Sequence, residues 1–239
     1  MSGRICPDNP AAILFDKDGT LIDYDKTWLA LNREAARIAG SGNPELEKII
    51  LTACGTDPET GKTVADSMFA VANTREIAEH MISLGSKFDR MELTERLDLL
   101  YSRGAHNSVA LCDLKSLLGD LKARGYVIGI ASSDNEEAIR TTTIVHEIDG
   151  HVDFLAGYDS GHGTKPGPGM VHALCADINC PTSQVIVVGD NRHDMEMGRN
   201  AGVGFTVGVL SGTGTAETLG NCADVVLKNV MELPSFLES

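Results

Sequence analysis

Short unbroken apolar runs alternate along this chain with stretches in which apolar residues recur every three or four positions. The runs are Ala11 to Phe15, Val127 to Ala131, Phe154 to Gly157, Val185 to Val188, Gly204 to Val207 and a weaker one at Asp224 to Val226. Runs of this kind, closed by turn-forming residues, suit strands buried on both faces. Leu111, Leu114, Leu117, Leu118 and Leu121 follow helical spacing behind a capping candidate at Ser108 and stop at Gly125. Asn135 to Val145, Pro168 to Asp177 and Asp194 to Ala201 predict three more helices. Strands joined through helices of this length form a parallel sheet covered on both sides, a doubly wound, Rossmann-like α/β domain.

Tyr24 to Arg103 differs in kind. It has no convincing strand pattern, and its helical stretches break at Gly40-Ser41-Gly42-Asn43-Pro44, at Gly55-Thr56-Asp57-Pro58 and at Gly85-Ser86. This predicts an all-helical domain at 24–104 inserted between the first two core strands, with the core at 1–23 and 105–239. The polar joints are Asp23-Tyr24-Asp25 and Gly104-Ala105-His106-Asn107. Within the insert, Trp28 is expected to pack with Leu29 and Leu31 along the first helix, and its closeness to the joint leaves a substrate contact open. The loop Ala53 to Asp57 is expected to face a substrate, because a glycine-bearing tip can approach closely.

Composition narrows the partners. Among 239 residues, 34 acidic against 20 basic side chains give a net charge of −14 with no Lys/Arg cluster, which argues against nucleic acid or an anionic membrane. A 42% hydrophobic and 23% charged composition excludes a disordered or collagen-like chain. The apolar runs are too short to cross a bilayer, and Met1 to Pro10 has no apolar leader core, so a cytoplasmic protein is expected. The six cysteines, Cys6, Cys54, Cys112, Cys175, Cys180 and Cys222, include no C-x-x-C pair and read as reduced thiols. Cys175 and Cys180 have only Asp177 nearby as a further ligand, which completes no tetrahedral zinc set. Oligomeric state is not legible.

In an open parallel sheet, ligands bind beyond the carboxyl ends of the strands. Asp16-Lys17-Asp18-Gly19-Thr20 follows the first strand, Ser132-Ser133-Asp134 the second, and Gly189-Asp190 the Val185 strand, with Asp194 four residues on; Lys165-Pro166 precedes the Pro168 helix. Four carboxylates on one rim repel one another unless a cation binds, and hard oxygen ligands favour magnesium. A phosphate group completes the balance, with Lys165 as ammonium and Ser132 as hydroxyl donor. A calcium-loop reading of Asp16-Lys17-Asp18-Gly19 fails, because its sixth and twelfth positions hold Leu21 and Thr27. Gly161-His162-Gly163-Thr164-Lys165-Pro166 lacks a phosphate-loop ending, and Gly202-x-Gly204 lacks the third glycine of a dinucleotide fingerprint.

Phe15-Asp16-Lys17-Asp18-Gly19-Thr20-Leu21, Ser132, Lys165-Pro166 and Gly189-Asp190-Asn191-Arg192-His193-Asp194 match, in order, the four motifs of the haloacid-dehalogenase-like superfamily. The chain most resembles its phosphoglycolate-phosphatase-like branch, over nearly its whole length. The resemblance implies that Asp16 is the nucleophile and Asp18 the general acid and base, with Lys165 neutralising Asp16 and the phosphate. It implies magnesium at the Asp16 side chain, the Asp18 main-chain carbonyl, Asp190 and Asp194. Gly19, Thr20, Ser132, Ser133 and Lys165 would then bind the phosphate of a small phosphorylated metabolite.

Dehalogenases and phosphonate-cleaving members lack an acid at the position of Asp18, so hydrolysis of a small phosphomonoester is the expected activity, with phosphoglycolate the substrate the resemblance implies. The alternatives are a phosphosugar mutase and a non-catalytic binding protein that keeps the fold. Lys17 departs from the apolar or aromatic residue common at its position and is expected to add a charge near the mouth. His162 and His193 neighbour the site, while the other histidines read as solvated or structural.

Overall fold

A computed structural model describes residues 10–238. The expectations placed on an earlier segment, the absent leader core in the first nine residues and the reduced thiol at Cys6, lie outside the described residues. The strands are β1 (Ala12–Phe15), β2 (Val127–Ala131), β3 (Phe154–Ala156), β4 (Val185–Gly189), β5 (Phe205–Val209) and β6 (Val225–Leu227). They form one parallel sheet in the order β3-β2-β1-β4-β5-β6, the α/β arrangement predicted from the apolar runs.

Period-two alternation divides the strand side chains between two cores. Ile13 and Phe15 join Ile128, Ile130, Ile186 and Val188 beneath α6 (Leu114–Ala123), whose Leu114, Leu117, Leu118 and Leu121 are the predicted helical stripe. Ala12 and Leu14 point the other way and pack with Val185 and Val187 against α8 (Gly169–Ile178) and α9 (Arg192–Ala201). The crossover from β2 to β3 runs through α7 (Glu136–Val145), capped by Asn135.

Ser108 does not cap α6. Asp113 does, accepting from the Ser116 amide at 3.0 Å. Residues 109–111 run beside the end of the first motif, with Asp23 N donating to Val109 O and Leu111 N to Leu21 O, so that segment is tied down as extended chain. Ser108 Oγ instead donates to Ala105 O at 2.8 Å and lies 2.9 Å from His146 Nε2.

Between β1 and β2 the chain builds α1 (Tyr24–Gly40), α2 (Pro44–Ala53), α3 (Met68–Val71), α4 (Thr74–Ser83) and α5 (Arg90–Gly104). Ala35, Ile50, Phe69, Met81, Leu93 and Leu97 belong to an apolar cluster distinct from those of the sheet. The insert leans on the sheet through polar contacts. Asp98 accepts from Tyr158 Oη at 2.8 Å, Ser102 Oγ donates to Asn135 Oδ1 at 3.1 Å, and Ser133 Oγ donates to Val71 O at 3.1 Å. No helix among the described residues is long and apolar enough to cross a membrane.

Leu118 is fully buried between α6 and the sheet. Leu118→Ala is expected to destabilise the protein by about 2–5 kcal/mol in urea unfolding, whereas Ile144→Ala, on an exposed face of α7, stays within about 0.5 kcal/mol.

Candidate active site

Register explains why the motif residues meet. Phe15 lies opposite Val188 on one side and Ile130 on the other, so Asp16 emerges between the ends of β4 and β2, beside Gly189-Asp190 and just before Ser132. The connections from these two neighbours leave in opposite directions, which opens a crevice at the β1/β4 switch point. Asp194 enters from the first turn of α9. There its Oδ2 accepts from the Asn191 amide at 3.0 Å while the Asn191 side chain caps the helix. Lys165 arrives on the loop before α8, held by Pro166, whose carbonyl accepts from Asn200 Nδ2 at 2.8 Å.

Lys165 Nζ lies 2.6 Å from Asp16 Oδ1 and 2.6 Å from Asp194 Oδ1. Burial alone would lower this ammonium's pKa, but the two carboxylates outweigh it and keep the charge. Oxygens of Asp16, Asp190 and Asp194 all lie within 4.8 Å of one another. Burial pushes the Asp16 carboxyl up to about 7 against the pull of Lys165, with Asp194 and Asp18 adding repulsion. Burial, together with Asp16 and Asp194, raises Asp190 well above the carboxylate range. Asp16 Oδ2 is buried without a hydrogen-bond partner. One ammonium among three buried carboxylates, with an orphaned oxygen, fits a small hard cation such as Mg2+.

Backbone closes tightly around Asp190. Its Oδ2 accepts from the Thr213 amide at 2.7 Å, and a Cβ on Gly19, where φ is +86°, would stand 2.7 Å from the same carboxylate. That approach and that dihedral both require glycine. Gly19 is therefore a wall of the acid cluster, and its amide donates to Ile22 O at 2.7 Å. Thr20 is fully buried and, like Gly19, is not among the residues that line the cavity. Ser132 and Ser133 do line it. Ser132 Oγ accepts from the Asp134 amide at 3.2 Å and keeps its own proton free to donate.

The Asp18 carboxylate stands outside the acid trio. Its Oδ1 accepts from Trp28 Nε1 at 2.7 Å, and its Oδ2 pairs with Lys17 Nζ at 2.9 Å. Lys17 is only 2% exposed and also binds Asp134 at 3.0 Å, so it is an internal tether and not a charge at the mouth. The two carboxylates hold its ammonium charged against burial. Asp134 thus enters the site through a partner 117 positions away, which motif spacing does not reveal, and Trp28 through the nearby Asp18.

The cavity between sheet and insert measures about 600 Å³ including its mouth. The insert contributes residues from α1, α3, α4 and α5, and the Ala53 to Asp57 loop does not line it. Thr56 in that loop is buried against Asn32 and Thr63, which turns the tip inward. His193 reaches the cavity and has a buried, unpartnered Nδ1, while His162 packs against the Phe154 ring instead.

The family model for haloacid dehalogenase-like hydrolases matches residues 13–208. The chain belongs to that family. Pyrophosphatase PpaX of Bacillus velezensis is 27% identical over 211 residues, 87% of this chain and 87% of the relative. Phosphoglycolate phosphatase of Haemophilus influenzae is 27% identical over 200 residues, covering 81% of this chain and 84% of that protein. A solved β-phosphoglucomutase from Clostridium difficile shares the fold at a TM-score of 0.69 and 19% identity, with 96% of each chain covered.

Asp16 gains a proton on folding wherever the pH lies between 3.8 and about 7. Its contribution to stability is therefore present at low pH and lost as pH rises through about 7, and a bound cation restores it. Added Mg2+ is expected to raise the melting temperature more at pH 8 than at pH 5.5. Equal shifts at the two pH values would remove the trio as the cation site.

Proposed function

We propose that the chain is a magnesium-dependent phosphatase that hydrolyses a small phosphomonoester through an aspartyl-phosphate on Asp16. The observation that carries this reading is Asp16 itself: it lines the cavity, one oxygen is held by Lys165, and the other is buried with no partner. When bound at Asp16, Asp190 and Asp194, Mg2+ supplies positive charge that offsets the phosphoryl oxygens.

The residues divide the rest of the work. An Asp16 oxygen attacks phosphorus and the bond to the leaving alcohol breaks, while Asp18 gives that oxygen its proton. Asp18, now a carboxylate, takes a proton from water, whose oxygen attacks phosphorus and breaks the bond to Asp16. Lys165 favours the ionised form of Asp16 against the effect of burial, and the Ser132 hydroxyl donates to a phosphoryl oxygen. Lys17 and Trp28 donate to one oxygen each of Asp18, which fixes its plane relative to the cavity, and one of these contacts opens when the carboxyl carries the proton it gives up. The helical insert acts as a cap that limits water during transfer.

A mutase must also hold the second phosphate of a bisphosphate, and the insert residues lining the cavity include no Lys, Arg or His. A binding protein without chemistry has no physical reason to keep repelling buried acids. The hydrolase reading is the one the site supports, and the names of the relatives supply phosphoglycolate and pyrophosphate as test substrates.

Asp16→Asn is expected to lower Mg2+-dependent phosphate release by at least about a thousandfold across a panel of phosphate esters. Substantial residual turnover would overturn the covalent mechanism. Lys17→Met is expected to slow alkyl phosphates by about tenfold or more, yet barely affect p-nitrophenyl phosphate, whose leaving group needs no proton. An equal loss on both substrates would show that Lys17 only supports the fold.

A further inference from the structure

The cavity has two unlike halves. Its sheet side carries the acids, Lys165 and the serines. Its insert side is walled by the rings of Tyr24, Trp28, Phe69 and Tyr101, with Val71 and Ile77 beside them. Trp28 and Tyr101 meet edge to face at 5.0 Å, and Tyr24 stacks on Trp28 at 6.2 Å.

The polar atoms on this wall are almost all engaged. Tyr24 Oη donates to Phe69 O at 2.7 Å, and Trp28 Nε1 donates to Asp18. The exception is the Tyr101 hydroxyl, which is buried without a partner and kept neutral by that burial, which raises its pKa. The nearby ammonium and guanidinium groups are committed elsewhere, and His193 enters the cavity from α9 on the sheet side, not from this wall. Lys17 is tied to Asp18 and Asp134, Lys165 to Asp16 and Asp194, and the Arg75 guanidinium lies 5.6 Å above the Tyr158 ring.

Building on the phosphatase reading, we propose that the esterified alcohol is uncharged and largely apolar, with rings or alkyl groups against the aromatic wall. The phosphate end is matched by the charges at the strand ends. A second anionic group on the alcohol, such as a carboxylate or another phosphate, would enter an apolar wall beside Asp18 and Asp134 with no cation from the insert to receive it. A buried charge without a partner is strongly disfavoured, whereas rings and methylenes gain from burial.

The test compares benzyl phosphate with phosphoglycolate and pyrophosphate in the presence of Mg2+, on wild type and Asp16→Asn. The expected result is Asp16-dependent hydrolysis with kcat/KM at least tenfold higher for benzyl phosphate. Equal or better turnover of phosphoglycolate or pyrophosphate overturns the proposal while leaving the phosphatase reading intact.

Should no ester be hydrolysed, the phosphatase reading fails, and binding decides the pocket's selectivity by itself. Trp28 is the only tryptophan in the chain, so its fluorescence reports occupancy. Benzylphosphonate is expected to bind at least tenfold more tightly than phosphonoacetate, and the reverse order or equal affinity overturns the proposal. Val71→Arg places a guanidinium on the wall and is expected to shift the kcat/KM ratio at least tenfold toward phosphoglycolate. In a variant that still hydrolyses benzyl phosphate, an unchanged ratio removes the wall as the selector.

Discussion

Three buried carboxylates share a single ammonium where β1 and β4 diverge, and much of the surrounding structure is arranged to hold that unfavourable charge in place. Asp16 follows β1 while Asp190 and Asp194 share the β4–α9 junction; Lys165 holds Asp16 and Asp194, and backbone amides hold Asp190 and Asp194. The Asn191 amide and the Thr213 amide take one oxygen each, so like charges are pinned by donors that cannot swing away. Positive-φ geometry at Gly19 lets the first motif turn close against Asp190 without a side chain in between. Because the fold has already met the cost of bringing the acids together, the trio fits the cation proposed for it.

A second charged group lies a few residues from the first and joins the sheet domain to the helical insert. Lys17 is anchored in the sheet domain by Asp134 and reaches Asp18, while Trp28 reaches the same carboxylate from α1. Asp98 on α5 contacts Tyr158 and Asn135, and Ser133 contacts the backbone of α3. Every one of these bridges is polar, while the apolar clusters remain separate within each unit. Polar bridges between separate apolar clusters keep the two parts in contact without merging their cores, and Trp28 ties the orientation of Asp18 to the insert.

Much of this was legible in the chain. Strand positions followed from apolar runs because strands buried on both faces leave few polar interruptions, and the motif residues followed from sitting just beyond those strands. What was not legible depended on distant partners. Ser108 reads as a helix cap until residues 109–111 are seen to pair with Leu21 to Asp23. Lys17 reads as a surface charge because a lysine between two aspartates is ordinarily solvated, and only Asp134, more than a hundred positions away, explains its burial. Gly19 and Thr20 stand in the right motif, yet the turn uses the Gly19 amide internally. The Gly55 tip has the composition of a substrate loop, but the short helix after it forms the wall.

Ring packing on the insert and charge burial in the sheet are parts of one balance. The aromatic wall displaces water from the mouth of the acid cluster, which strengthens both the repulsion among Asp16, Asp190 and Asp194 and their attraction for any cation that enters. The same exclusion of water makes an unfilled acid cluster costlier than a filled one. A ligand that brings rings to the wall and a phosphate to the strand ends engages both halves of that balance at once. One that brings a second charge engages only the sheet side and opposes the wall.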